Sequence, residues 1–96
     1  MNEIIQTLFA NFTVDKVAIP VKFMNYKEFD AQLGEILRTE RERRGLSQRE
    51  IARRIGVSKS AVSLWESGAR SMAAVSLAKY CAVLGVSIDY IFGKIS

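Results

Sequence analysis

The chain has 96 residues, room for one small domain and little else. Nearly half of them (49%) are hydrophobic, enough for a single core, while one cysteine and no histidine argue against a protein-only zinc site and leave no disulfide within the chain. Charge is uneven: in residues 1–30 Lys16, Lys22 and Lys27 stand against Glu3, Asp15, Glu28 and Asp30, whereas residues 31–96 carry eleven Lys or Arg against six acids. That basic excess reads either as an electrostatic footprint for phosphate or as an ordinary solvated surface. Met1-Asn2-Glu3 lacks the basic start of a signal peptide. No stretch approaches the roughly 20 apolar residues of a membrane span, so a cytoplasmic protein with no membrane association is expected.

In chain order, residues 3–12 place Ile4, Ile5, Leu8, Phe9 and Phe12 on one side of a short helix that would be marginal alone in water. From Val17 the period changes. Val17, Ile19, Val21 and Phe23 alternate as in a strand, and Pro20 confines that strand to an edge or an extended arm. It has no hairpin mate, which leaves pairing between two chains or a loosely ordered leader. Asn25-Tyr26-Lys27 reads as a linker. A helix is predicted from Glu28 or Asp30 to Arg44, with Phe29, Leu33, Ile36 and Leu37 as its apolar stripe. Gly34 weakens that helix slightly. Its other face carries Arg38, Arg41, Arg43 and Arg44 with Glu35, Glu40 and Glu42, including the pairs Glu35–Arg38 and Glu40–Arg44. Gly45 supplies a stop.

Residues 46–68, LSQREIARRIGVSKSAVSLWESG, organise the rest. Ser47 precedes Glu50 by three, a capping-box pattern, and Ile51, Ala52 and Ile55 give one short apolar face. Gly56 stops that helix, and Ser58 caps the next. There Val62 and Trp65 share a face, and Gly68 ends it. Ala52 sits where the two helices would cross. Ala69-Arg70-Ser71 is a loop. A fourth helix starts at Ser71 or Met72 and reaches Leu84, with Val75, Leu77, Ala78, Cys81 and Leu84 inward, and Gly85 closes it. Cys81 is a buried small hydrophobe on this reading. Ser87 caps a fifth helix from Ile88 to about Phe92.

Helix, tight turn, helix is the layout of a DNA-binding helix-turn-helix, whose second helix lies in the major groove. The chain closely resembles the Cro/CI-type (Xre) helix-turn-helix of phage repressors and small bacterial regulators. The matching residues are Leu46-Ser47-Gln48, Ile51-Ala52, Ile55-Gly56-Val57-Ser58, Val62, Trp65-Glu66 and Gly68, continuing through Leu77-Ala78, Leu84-Gly85-Val86-Ser87 and Ile88 to Gly93. The resemblance covers about residues 31–93. It implies an all-α, five-helix, lambda-repressor-like DNA-binding domain over residues 28–96. Residues 1–27 are then an N-terminal extension holding a short helix and an edge β-strand or arm.

With Val62 and Trp65 turned inward, the recognition helix points Lys59, Ser60, Ser63 and Leu64 outward. By resemblance, Lys59, Ser60 and Leu64 occupy base-reading positions. Lys59 can donate to guanine O6 and N7, Ser60 or Ser63 can bond a base edge or a phosphate, and Leu64 can meet a thymine methyl. Family members set the glutamine at Gln48 against a phosphate and use it to brace the recognition helix. The amides exposed at that helix start suit an anion. Arg70 stands in a loop that often carries a basic residue for the backbone. Arg38, Arg41, Arg49 and Lys79 are secondary phosphate candidates, Arg53 and Arg54 read as solvated, and Glu66 as structural, pairing with a nearby arginine. Trp65 reads as core, not as a base-stacking platform. Tyr90 and Phe92 belong either to the core or to a dimer face.

The family usually binds palindromic double-stranded DNA as a homodimer, and one recognition helix reads too few base pairs for selectivity. The expectation is a dimeric, sequence-specific transcriptional regulator that represses. The alternative is an antitoxin or interaction protein whose residues 1–26 engage a protein partner. With no histidine, no phosphate-binding glycine loop and no paired-carboxylate spacing, no catalytic residue, metal ligand or cofactor is assigned.

Overall fold

The computed structural model describes residues 25–96. The first turn of its first helix depends on a reciprocal pair. The Asn25 side chain accepts from the Glu28 N–H (2.9 Å), and the Glu28 carboxylate accepts from the Asn25 N–H (3.2 Å). This capping box starts α1, Tyr26–Arg43, two residues before the earliest predicted start. Asn25-Tyr26-Lys27 is therefore a helix cap and first turn, not a linker. The helix and strand expected over residues 3–12 and 17–23 lie outside the described residues.

Four further helices follow: α2, Gln48–Ile55; α3, Lys59–Ser67; α4, Ala74–Leu84; and α5, Ile88–Phe92. Among the described residues the fold is all-α with five helices, as the sequence implies. Serine hydroxyls at Ser47, Ser58 and Ser87 accept from the N–H three residues on and start α2, α3 and α5. The fourth start differs from expectation. Ser71 spends its hydroxyl on the Asp30 carboxylate, so α4 begins only at Ala74, after Ala73, which offers no side-chain cap.

The core forms where α1 and α2 both pack on α3; α4 lies against α2, and α5 closes the end against α1 and α4. Leu37, Ile51, Val62, Tyr80 and Ile91 are wholly buried at its centre. Leu33 joins them, Phe29 and Ile36 pack at the edge, and the Phe29 ring meets Phe92 edge-on at 5.8 Å. Burial of such side chains contributes about 1.5–3 kcal/mol each and dominates the fold's stability. On α4 the inward set is Leu77, Tyr80, Cys81 and Leu84. Val75, expected inward, is 62% exposed, and Ala78 also faces outward. The helix is apolar nearly all round, so composition alone does not fix which stripe faces the core.

Gly34 has a sharper purpose than its helix propensity suggests. A Cβ there would lie 2.3 Å from the Trp65 carbonyl oxygen and 2.5 Å from that of Glu66. The absent side chain lets α1 and α3 cross backbone to backbone, and the cost of a glycine within a helix, about 1 kcal/mol, is the smaller term. No helix of the described residues is long and apolar enough to cross a membrane.

Candidate nucleic-acid interface

The turn between α2 and α3 is built by one residue type. Gly56 adopts φ +78°, its N–H bonds the Ala52 carbonyl (2.9 Å), and Ser58 caps α3 two residues later. A left-handed backbone at this point strains any side chain but glycine. Ala52 is buried in the core, α2 packs on α3, and the turn sets the angle between the two helices.

That angle orients α3. Val62 and Trp65 are sunk in the core, and Lys59, Ser60 and Ser63 are exposed, with Leu64 half-buried beside them. The structure therefore brings the four expected base-facing side chains to the outer side of one helix. Trp65 is core, as its position on the helix implies. Arg70 is exposed in the loop after α3, and Arg49 is exposed on α2. Among the described residues neither these nor Lys59 makes an ion pair, so their charge faces solvent. Arg38 is engaged: its guanidinium bonds Glu35 at 2.9 Å and lies 3.7 Å from Glu42.

Beneath the outer surface lies a polar knot. Glu66, on α3, is 5% exposed. Its carboxylate accepts from Arg41 Nε (2.7 Å) and Nη2 (2.9 Å), from Gln48 Nε2 (3.0 Å) and from the Tyr80 hydroxyl (2.5 Å). Burial pushes the Glu66 carboxyl up, but the bonds from Arg41, Gln48 and Tyr80, with the Arg41 charge, more than reverse it and hold the group below the usual range. The same contacts raise Arg41, through its bond to Glu66 first, and burial together with Glu66 raises the Tyr80 hydroxyl far above its ordinary value. At neutral pH the knot is a carboxylate, a guanidinium and a neutral phenol.

Two expectations change here. Arg41 is not a phosphate ligand: it is buried, and besides Glu66 it bonds the Leu46 carbonyl (2.7 Å), which fixes the chain entering α2. Arg53 and Arg54 are not simply solvated, because Glu50 takes both, at 2.5 and 2.8 Å. Glu50 consequently does not complete the capping box with Ser47; only the serine half forms. Glu66 pairs with an arginine, as read from the sequence. Gln48 braces the recognition helix, and with Arg38, Ser63 and Ser67 it lines an open cleft between α1, α2 and α3.

Tyr80 is the residue that sequence reasoning missed. It stands three after Leu77 and four before Leu84, a core spacing, but an all-round apolar helix hid that stripe. Burial raises the Cys81 thiol, keeping it protonated and inert. Among the described residues, no group of three or more His, Cys, Asp or Glu side chains is placed to hold a metal ion.

A family model described as HTH_3: Helix-turn-helix matches residues 37–91, more than half of the chain. The match takes in the end of α1 and the whole of α2, α3 and α4. No curated protein matches the chain.

Proposed function

The chain belongs to the Cro/CI-type (Xre) helix-turn-helix family of DNA-binding regulators, and from that premise we propose that it binds palindromic double-stranded DNA as a homodimer and represses transcription by covering a promoter. The observation that carries this reading is the outer side of α3. Lys59, Ser60 and Ser63 stand clear of the fold while Val62 and Trp65 anchor the same helix. A helix held in this way enters a major groove without rearranging.

Lys59, at the first turn of α3, reads a guanine edge, Ser60 and Ser63 bond bases or phosphates, and Leu64 contacts a thymine methyl. Gln48, Arg49, Arg70 and, after exchange of its carboxylate partners, Arg38 hold the sugar-phosphate strands. Phosphate contacts of this kind set register and affinity, and base contacts set sequence. Two copies present their recognition helices to half-sites about 34–36 Å apart, or a multiple of that.

Selection of binding sites from random duplex DNA tests the reading. It should return an inverted repeat whose half-site spacing reports the dimer. With about 6–10 phosphate contacts, affinity for that duplex should fall roughly 10³–10⁵-fold between 50 and 200 mM salt. Lys59→Ala should relax base preference at one position of each half-site, and Arg70→Ala should weaken all sequences alike. A flat salt response, or no enriched sequence, would overturn the proposal.

A further inference from the structure

Among the described residues, Arg38 is the one cation lining the open cleft between α1, α2 and α3. Gln48 enters that cleft from α2 and Ser63 from the outer side of α3, so the cleft opens beside the surface that meets the duplex in the reading above. A guanidinium grips a phosphate best with two N–H groups at once. The terminal nitrogens of Arg38 are turned elsewhere. Nη2 donates to both Glu35 oxygens at 2.9 Å, and Nη1 lies 3.7 Å from the Glu42 carboxylate. Glu35 lines the same cleft, and Glu42 is not in its lining.

A phosphate entering the cleft therefore meets an arginine and a carboxylate together. Glu35 opposes it twice: its charge repels the anion, and its bonds hold a nitrogen that the anion needs. The hold is weak enough to exchange. Arg38 and Glu35 are 41% and 63% exposed, and a pair one turn apart on a solvated helix surface adds little to stability. Arg41, buried with Glu66, has no such freedom.

We propose that Glu35 is a built-in brake on DNA binding: it holds Arg38 within the cleft, and a backbone phosphate must displace it before Arg38 can grip the duplex. The proposal rests on the DNA-binding reading above. Glu35 acts through Arg38 as a positioning residue and is not itself a DNA ligand.

The test is a double-mutant cycle on the full chain, with affinity for the selected duplex measured at one ionic strength: Glu35→Gln, Arg38→Ala and the two together. Neither side chain belongs to the core. Glu35→Gln should bind about three- to tenfold tighter, from the lost repulsion and the freed guanidinium, an exposed pair alone being worth up to about fivefold. In the Arg38→Ala background the same substitution removes only the repulsion, and its gain should be at least about twofold smaller. A merely structural role would leave affinity unchanged or weaken it. Equal gains in the two backgrounds mean that Arg38 keeps Glu35 while DNA is bound, and they overturn the proposal, as does no gain at all.

Glu42→Gln controls for net charge. It removes one negative charge from the same helix, but from a group that only neighbours Arg38. Its gain should be smaller than that of Glu35→Gln, and an equal gain assigns the effect to net charge and overturns the brake. If no chain in the cycle binds any duplex, the DNA reading fails and the brake with it. Chains that bind with equal gains overturn the brake alone.

Discussion

Two glutamates, Glu40 on α1 and Glu66 on α3, are almost equally removed from water, at 1% and 5% exposed, and are held in opposite ways. Glu40 is surrounded mainly by its own neighbours. Arg44 bonds it at 2.7 Å, Arg43 stands at 3.7 Å from one turn away, Lys94 at 3.7 Å, and the Tyr90 hydroxyl at 3.4 Å. Each of those cations keeps part of its side chain in water. Glu66 draws its donors from three other helices, and its one cation, Arg41, is as buried as the carboxylate. A carboxylate with redundant, half-solvated partners trims a helix end. One with a single buried counter-ion ties separate elements into a fixed arrangement, and here that arrangement lies directly behind the outer side of α3.

The largest difference should come from Arg41→Ala. It leaves a buried carboxylate without its cation and frees the Leu46 carbonyl as well. Breaking a buried pair from one side costs about 3–5 kcal/mol. Small domains have about 5–15 kcal/mol in all, so the urea midpoint should fall by a large fraction. A loss under about 1 kcal/mol would mean that Glu66 reaches water and that the contrast with Glu40 is false. Gly34→Ala should come next. Glu66 meets Arg41 because α1 and α3 cross without side chains between them, and an added methyl would meet backbone, which cannot swing aside. Overpacking of this kind costs about 1–3 kcal/mol, and Trp65 fluorescence should report the displaced helix.

The same contrast explains what could be read from the sequence. Serine caps at Ser47, Ser58 and Ser87, the turn at Gly56 and the inward Trp65 are local signals spaced three or four residues apart, and all were legible. So was the Glu40–Arg44 pair, one turn apart, although not its burial. The Arg41–Glu66 pair spans 25 residues, and Tyr80–Glu66 spans 14. No periodicity carries such pairings, so Arg41 read as one more exposed basic residue. Asn25 differs: its cap with Glu28 has the same spacing as Ser47 and Glu50, but it directly follows a strand pattern, so by sequence the stretch reads as a connection. In α4, polar signals were too few to set the phase, so Val75 and Ala78 exchanged places with Tyr80. The outward residues of α3 were legible because they are what remains once the core side is assigned.

Glu40→Gln should give the smallest effect and the most informative pH dependence. The amide keeps an oxygen for Arg44, and the cations left behind are 31% to 62% exposed, so no charge is stranded in the core. The loss at pH 7 should be about 1 kcal/mol, the scale of surface pairs and not of buried ones. The bond from Arg44 first, then the charges of Arg43, Arg44 and Lys94, hold the Glu40 carboxyl below its ordinary value against burial. A group lowered on folding contributes stability that is present above its unfolded value, about 4.3, and lost as pH falls through its folded value. The gap between Glu40→Gln and the unsubstituted chain should therefore be widest at neutral pH and narrow as the pH falls through the lowered folded value of Glu40, where the unsubstituted carboxyl takes up its own proton. Urea midpoints of the two chains at pH 7, 5 and 3 measure it. A gap that stays constant with pH would mean the glutamine fails by shape and not by charge, and Glu40 would then belong with Glu66 as a packed element of the core.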